Sequence, residues 1–236
     1  MMARLKNPNL EILRLTVTQL GELADEFVFV GGCATGLLIS DPAAPPIRVT
    51  RDVDAIVQVA SRAEYYRLSK RLRDRGFRED ASAGAPLCRW RSDPLILDVM
   101  PTDESILGFG NPWYVAAIKA AEKINLETGE SLSLVTSPYF LITKLDAFAN
   151  RGKGDFQMSH DMEDVIAVLD GRPELLTELE STDPTLRTTI ALRIKDLLAK
   201  QSFVQSIPGH LPGDSASQQR VPRIMQLLRQ IAELDT

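Results

Sequence analysis

The chain has 236 residues, of which 44% are hydrophobic and 25% charged, with a net charge of -5. This is a globular composition with enough apolar residues for a sizeable core, in one large domain or two small ones. The acidic balance speaks against a broad non-specific nucleic-acid surface. No apolar run approaches the roughly 18–20 residues that span a bilayer, and Met1-Met2-Ala3-Arg4-Leu5-Lys6 has no signal-peptide core, so a cytoplasmic protein with no membrane partner is expected.

Asn7-Pro8 reads as the cap and first residue of a helix, in which Leu10, Leu13, Val17, Leu20 and Leu23 recur at helical spacing to about Ala24. Phe27-Val28-Phe29-Val30 is an apolar strand that ends at Gly31-Gly32 and is followed by a short helix over 33–39. Asp41-Pro42-Ala43-Ala44-Pro45-Pro46 breaks regular structure, and a β-branched segment carrying Asp52 and Asp54 starts just after it, so this loop is expected to border the site. Ser61 and Glu64 form a capping box for a helix that runs through Tyr65, Leu68 and Leu72 to a stop at Gly76. Its other faces carry Arg62, Arg67, Lys70, Arg71, Arg73 and Arg75. Asp74, Glu79 and Asp80 follow closely, which favours a solvated face over a landing surface for RNA.

Residues 87–91 and 95–100, joined by Ser92-Asp93-Pro94, read as a hairpin with a cationic face at Arg89 and Arg91. After a loop with Gly108 and Gly110, Ala116, Ala117, Ala120 and Ala121 favour helix while Trp113, Tyr114 and Val115 favour strand. A short strand is expected over 132–135. Ser137-Pro138 then opens a helical half: a helix holding Lys144 among apolar neighbours, a polar turn at 150–155, and a helix from Ser159 that places Asp161 and Asp164 on one face. Further helical stretches follow over 174–180, from Asp183-Pro184 to about Gln201, and from Pro222 onward. The loop at 206–217 between the last two holds a His210 with no catalytic context.

The chemistry concentrates around residue 52. Asp52 and Asp54 lie two apart, so on a strand both leave the same face, where they repel unless a divalent cation sits between them. Asp98 is a lone acid in an apolar strand, and an unpaired buried aspartate is costly, so it either finds a partner or completes a two-metal cluster. Gly31-Gly32, a strand stop before a helix, exposes backbone N–H groups to an anion such as phosphate. Cys33 and Cys88 are far apart and lack metal-ligand spacing.

The order of apolar strand, Gly31-Gly32, helix, then Arg48, Thr50, Asp52 and Asp54 in an Arg-x-Thr-x-Asp-x-Asp run, then Asp98, resembles the polymerase-beta-type nucleotidyltransferase superfamily. Within it the chain is most similar to the abortive-infection enzymes, the toxins of type IV toxin–antitoxin systems, over roughly residues 25–170. Lys144, Ala147, Arg151, Asp161 and Asp164 match a Lys-x-x-Ala helix, a basic residue after it and an Asp-x-x-Asp helix start.

The resemblance implies an α+β fold, with a small mixed nucleotidyltransferase sheet flanked by helices in a domain over 1–136 and a C-terminal helical domain over 137–236. It implies transfer of a nucleoside monophosphate from an NTP to an acceptor hydroxyl on tRNA or protein. Mg²⁺ is the expected cofactor, as two ions, with Mn²⁺ able to replace it. Asp52, Asp54 and Asp98 would be the catalytic, metal-binding acids. Gly31, Gly32, Arg48, Thr50, Arg51, Lys144, Asp161 and Asp164 would bind nucleotide, and a cognate antitoxin would be a partner. One departure is that the superfamily often has Gly-Ser where this chain has Gly31-Gly32, so a phosphate-binding hydroxyl is missing. The alternatives are a small-molecule transferase of the aminoglycoside kind and a non-catalytic nucleotide-binding regulator. Three acids converging on one sheet face have no structural need, which argues against the regulator.

Overall fold

The central strands of the sheet are buried along most of their length, Phe27–Val30 at all four positions. The computed structural model describes residues 7–235. The leading segment Met1 to Lys6, expected to lack a signal core, lies outside them. In chain order the elements are α1 (Leu10–Leu20), a 3-10 turn over Gly21–Glu26, β1 (Phe27–Val30), α2 (Gly31–Leu38), β2 (Val53–Val57), α3 (Arg62–Asp74), β3 (Arg78–Glu79), β4 (Arg89–Ser92) and β5 (Leu95–Pro101). These are followed by α4 (Glu104–Leu107), α5 (Tyr114–Lys119), β6 (Glu122–Asn125) and β7 (Ser131–Leu134). The helical part comprises α6 (Ser137–Arg151), α7 (His160–Gly171), α8 (Leu175–Ser181), α9 (Pro184–Leu198), α10 (Gln201–Ser206), α11 (Ser215–Gln218) and α12 (Val221–Ala232).

The residues form two compact units. One comprises Pro8–Ala34 and Arg48–Thr136, the other Thr35–Ile47 and the helices from residue 137 onward. The first holds a seven-stranded mixed sheet in the order β3-β4-β5-β2-β1-β7-β6. β2 runs parallel to β5 and β1 parallel to β7, while the β1–β2, β3–β4, β4–β5 and β6–β7 pairs are antiparallel. Phe27, Phe29, Val53, Ala55, Trp90, Leu97 and Val99 alternate onto one face and are almost completely buried. Burying each large side chain contributes about 1.5–3 kcal/mol. α1 packs Leu13, Val17 and Leu20 near β2 and β5. The opposite face carries Asp54 on β2, Asp98 on β5 and Arg89 on β4.

The second unit is helical, with an apolar core of Phe140, Leu141, Ile142, Leu145, Val165, Ile166, Leu169, Ile190, Ile194, Ile224 and Leu228. α6 packs against α7 and α9, and α12 against α7 and α9. The proline-rich segment belongs here. The N–H groups of Ser40 and Asp41 both donate to the carbonyl of Gly171, at 3.0 and 2.9 Å. Arg220 clamps Asp41 to Asp170, at 2.6 and 2.7 Å.

Local departures from the sequence pattern have identifiable causes. α1 begins at Leu10 after Asn9, and not at Asn7-Pro8. The Asn9 side chain is used elsewhere: its Nδ2 donates to the Arg48 carbonyl at 3.0 Å and its Oδ1 accepts from the Thr50 N–H at 2.9 Å. Gly21, at φ +58, ends α1 before Leu23. Trp113 to Val115 fall at the start of α5, and strand β6 follows the alanines. The capping box of α3 forms as expected, with Ser61 Oγ accepting from the Glu64 N–H at 3.2 Å and Glu64 accepting from the Ala60 N–H at 2.8 Å. Among the described residues no helix is long and apolar enough to cross a membrane.

Candidate active site

β2 and β5 run parallel in a register that pairs Asp54 with Asp98, and β4 and β5 run antiparallel in a register that pairs Arg89 with Asp98. Paired residues on neighbouring strands project from the same face, so Asp54, Asp98 and Arg89 stand side by side across three strands. Asp52, one residue before β2 and two before Asp54, completes the row. The expectation that Asp98 finds a partner is met by Arg89. The Arg89 Nε donates to Asp98 Oδ1 at 2.8 Å and its Nη2 to Asp98 Oδ2 at 2.7 Å, while Nη2 also donates to Asp52 Oδ2 at 3.0 Å. Asp98 is 6% exposed. A bidentate guanidinium is the geometry that makes such a buried carboxylate tolerable.

Each neighbour of this row has a definable task. Thr50 Oγ1 donates to Asp52 Oδ1 at 2.7 Å, so it orients the carboxylate. Gly31 opens α2 at φ +70, in the left-handed region, and a Cβ placed there would run into the Asp54 carboxylate. The glycine therefore both turns the strand into the helix and makes room for the acid. Arg48 meets Asn9 through its carbonyl. Arg51 is exposed, and Gly32 is buried. The Cys88 thiol is pushed up to about 12, first by burial and then by the charges of Asp98 and Asp54 beside it. The Arg89 guanidinium is held above its usual value by its hydrogen bonds to Asp98, which outweigh desolvation. Cys33 is fully buried and plays the part of a small core residue.

The donors in this row are hard carboxylate oxygens, the ligand type that Mg²⁺ and Mn²⁺ prefer. Their charge is nevertheless met from within the protein. Among the described residues no three His, Cys, Asp or Glu side chains converge closely enough to hold a metal ion. The guanidinium of Arg89 bridges Asp52 and Asp98 instead. The sequence pattern marks this face of the hairpin as cationic, with Arg89 or Arg91 able to meet a triphosphate, but holds no motif that pairs Arg89 with the acids; its signal is the alternation with Cys88 and Trp90. Arg91, on the same face, turns to Asp80 at 2.6 Å.

A second group lies within the helical unit. Lys144 on α6 places its Nζ 3.2 Å from Asp161 Oδ1 and 2.7 Å from Asp164 Oδ2 on α7. Arg151, at the end of α6, adds bonds of 2.9 and 2.8 Å to Asp161. The Lys144 and Asp164 side chains are 8% and 2% exposed, whereas the Arg151 side chain is 70% exposed. Burial alone would raise the Asp161 carboxyl, but the hydrogen bonds and charges of Arg151 and Lys144 outweigh it and hold the group below its usual range. Two cations against two carboxylates make the group neutral, and Arg151 is the cation it presents to solvent.

Other charged features resolve into packing. Arg73 and Arg78 pair with Glu79 and Asp93 at 2.6 and 2.8 Å, and Arg71 pairs with Glu26, so much of the basic face near α3 is matched by acids. His210 Nε2 donates to the Phe156 carbonyl at 2.7 Å, a structural bond.

No protein-family model and no curated protein matches the sequence. Among solved structures the chain is similar to a candidate nucleotidyltransferase from H. pylori, with TM-score 0.46, 13% identity, and 98% of this chain and 97% of that one covered. It is also similar to JHP933 from Helicobacter pylori, with TM-score 0.47, 13% identity, and 98% and 94% covered.

Proposed function

We propose that the chain is a nucleotidyltransferase that moves a nucleoside monophosphate from an NTP to an acceptor hydroxyl on tRNA or protein, releasing pyrophosphate. The observation that carries this reading is the parallel β2–β5 register, which sets Asp54 beside Asp98 and Asp52 on the same face, next to the glycine turn that opens α2. Asp52, Asp54 and Asp98 would hold Mg²⁺. A bound divalent ion there supplies charge neutralisation for the acids and for the phosphates they face.

The residues themselves do the rest. Gly31 and Gly32 let the backbone at the start of α2 approach a phosphate, because no side chain stands in the way. Thr50 fixes the Asp52 carboxylate. Asp98 takes the proton of the attacking hydroxyl only once Arg89 has moved off, since both of its oxygens are occupied by the guanidinium and neither faces an acceptor. Arg48 and Arg51 are further phosphate candidates. In the helical unit, Lys144, Asp161 and Asp164 form a nucleotide-binding group in which the buried trio holds Arg151 outward for an anion.

A role as the toxin of a toxin–antitoxin or phage-defence pair, with a cognate antitoxin, follows from the same resemblance and forms the outer layer of the proposal. The test is incubation with α-labelled NTPs, Mg²⁺ and total tRNA or lysate. Label is expected in a macromolecular acceptor with the wild type, and none with Asp54→Ala. Absence of transfer to any acceptor, with all four NTPs, sinks the enzyme reading.

A further inference from the structure

We propose that Arg89 is the resident counter-cation of the carboxylate row, standing where a divalent ion would otherwise bind, so that an ion enters only when a polyanion draws the guanidinium away. This rests on the reading of Asp52, Asp54 and Asp98 as a cation site. The strand registers put Arg89 in the row itself: β4 pairs it with Asp98 as β2 pairs Asp54 with Asp98. Both Asp98 oxygens accept from Arg89, at 2.8 and 2.7 Å. Both Asp52 oxygens are also engaged, one by Arg89 at 3.0 Å and the other by Thr50 at 2.7 Å.

A divalent ion on Asp52 and Asp98 needs these same oxygens at close range, and it would sit beside a guanidinium that never loses its charge. The two cations compete. Burial sharpens the competition, because the Asp98 and Arg89 side chains are only 9% and 21% exposed and solvent screens them little. The β4–β5 register also makes the cation specific, because it pairs Arg89 with Asp98 and Arg91 with Ile96. Arg91 shares the face but is committed to Asp80, so Arg89 alone of the two arginines meets the acids.

What can release Arg89 is a partner that matches the same fork. A triphosphate offers paired oxygens in the bidentate geometry that the carboxylate now supplies. The nucleotide and its ion would then arrive together, and the acids would become competent only when the substrate is present. Arg89 is thus a positioning residue for the acids, and the ligand it responds to is a nucleoside triphosphate.

The full chain is titrated with Mn²⁺ without nucleotide, by calorimetry and by the paramagnetic resonance of free Mn²⁺, as wild type, Arg89→Gln and Arg89→Lys. Weak binding by the wild type and binding at least about tenfold tighter by Arg89→Gln are expected. Arg89→Lys, which keeps the charge and loses the fork, is expected to fall between them. Thermal melting adds a second readout: Mn²⁺ alone should leave the wild type unmoved and raise the midpoint of Arg89→Gln. Should Arg89→Gln fail to fold, Arg89→Lys and the wild-type melt carry the comparison. Wild-type binding as tight as that of the variants, or a wild-type melt raised by Mn²⁺ alone, overturns the role of Arg89 and leaves the proposed function standing. Binding by none of the three proteins overturns the cation site, and both proposals with it.

Discussion

Arg89 and Asp98 face each other across β4 and β5, and two parallel N–H···O bonds of 2.8 and 2.7 Å tie the hairpin to the centre of the sheet. The pair is mostly buried, so removing Asp98 takes away two of the three carboxylate bonds of Arg89 and leaves it with the single 3.0 Å bond to Asp52 in a poorly solvated place. Asp98→Ala is expected to lower unfolding free energy by about 3 kcal/mol in urea titrations. The double variant Arg89→Met with Asp98→Leu should lose less than the single one, because the buried guanidinium goes with its main partner and the acid left behind, Asp52, is the more exposed of the two. A loss under about 1 kcal/mol for Asp98→Ala would show that the pair behaves as a solvated surface bridge.

Gly31 tests the junction of β1 and α2. An alanine there meets two penalties, a left-handed backbone at φ +70 and a Cβ driven into the Asp54 carboxylate. Gly84 is the control, since it has φ +81 and open space around its Cβ position. Gly84→Ala is expected to cost about 1 kcal/mol from backbone conformation alone, and Gly31→Ala clearly more, read as the difference in melting midpoint. Equal shifts would mean that Asp54 yields freely, and the close fit between glycine and acid would lose its meaning.

Much of this site can be read from sequence because it is built on strands. The apolar run at β1 reads as a strand buried on both sides, the Asp52 and Asp54 spacing is a period-two signal, and the β2–β5 register brings Asp54 and the lone acid Asp98 onto one face. The capping box of α3 is equally local. What sequence does not show is which strand lies beside which. The partnership of Arg89 with Asp98 depends on the β4–β5 register, and nothing in the chain marks Arg89 over Arg91 until that register is known. Asn9 is missed for the same reason, because its partners at Arg48 and Thr50 are about forty residues away along the chain and a cap at Asn7 places Asn9 inside the helix. The stretch from α10 to α11 has short helices without an apolar period, so it reads as loop.

Acid should loosen the helical unit through Asp161. Its carboxyl titrates below its usual value, so its contribution to stability is fully present above the unfolded value of about 3.9 and is lost as pH falls through the lower, folded value. Lys144 and Arg151 remain charged throughout that window. The stability gap between wild type and Asp161→Asn, measured by urea unfolding, is therefore expected to be constant from about pH 5 to neutrality and to narrow as pH drops toward about 2. A gap that stays constant into acid would show that Asp161 is no more acidic folded than unfolded.

Lys144 separates a structural role from a binding one. Its ammonium lies between Asp161 and Asp164 with 8% of the side chain exposed, so Lys144→Met leaves two carboxylates facing each other with only Arg151 to offset Asp161. A loss of about 3 kcal/mol is expected, and Lys144→Met with Asp164→Leu should recover part of it, because the second acid goes with its partner. Arg151→Ala removes the exposed cation while leaving Lys144 to hold Asp161, and its stability is expected to change by no more than about 1 kcal/mol. If the group binds nucleotide through its exposed member, Arg151→Ala weakens ATP binding in calorimetry while its melt stays near the wild type. Unchanged ATP affinity in Arg151→Ala would assign the whole group to holding α6 against α7.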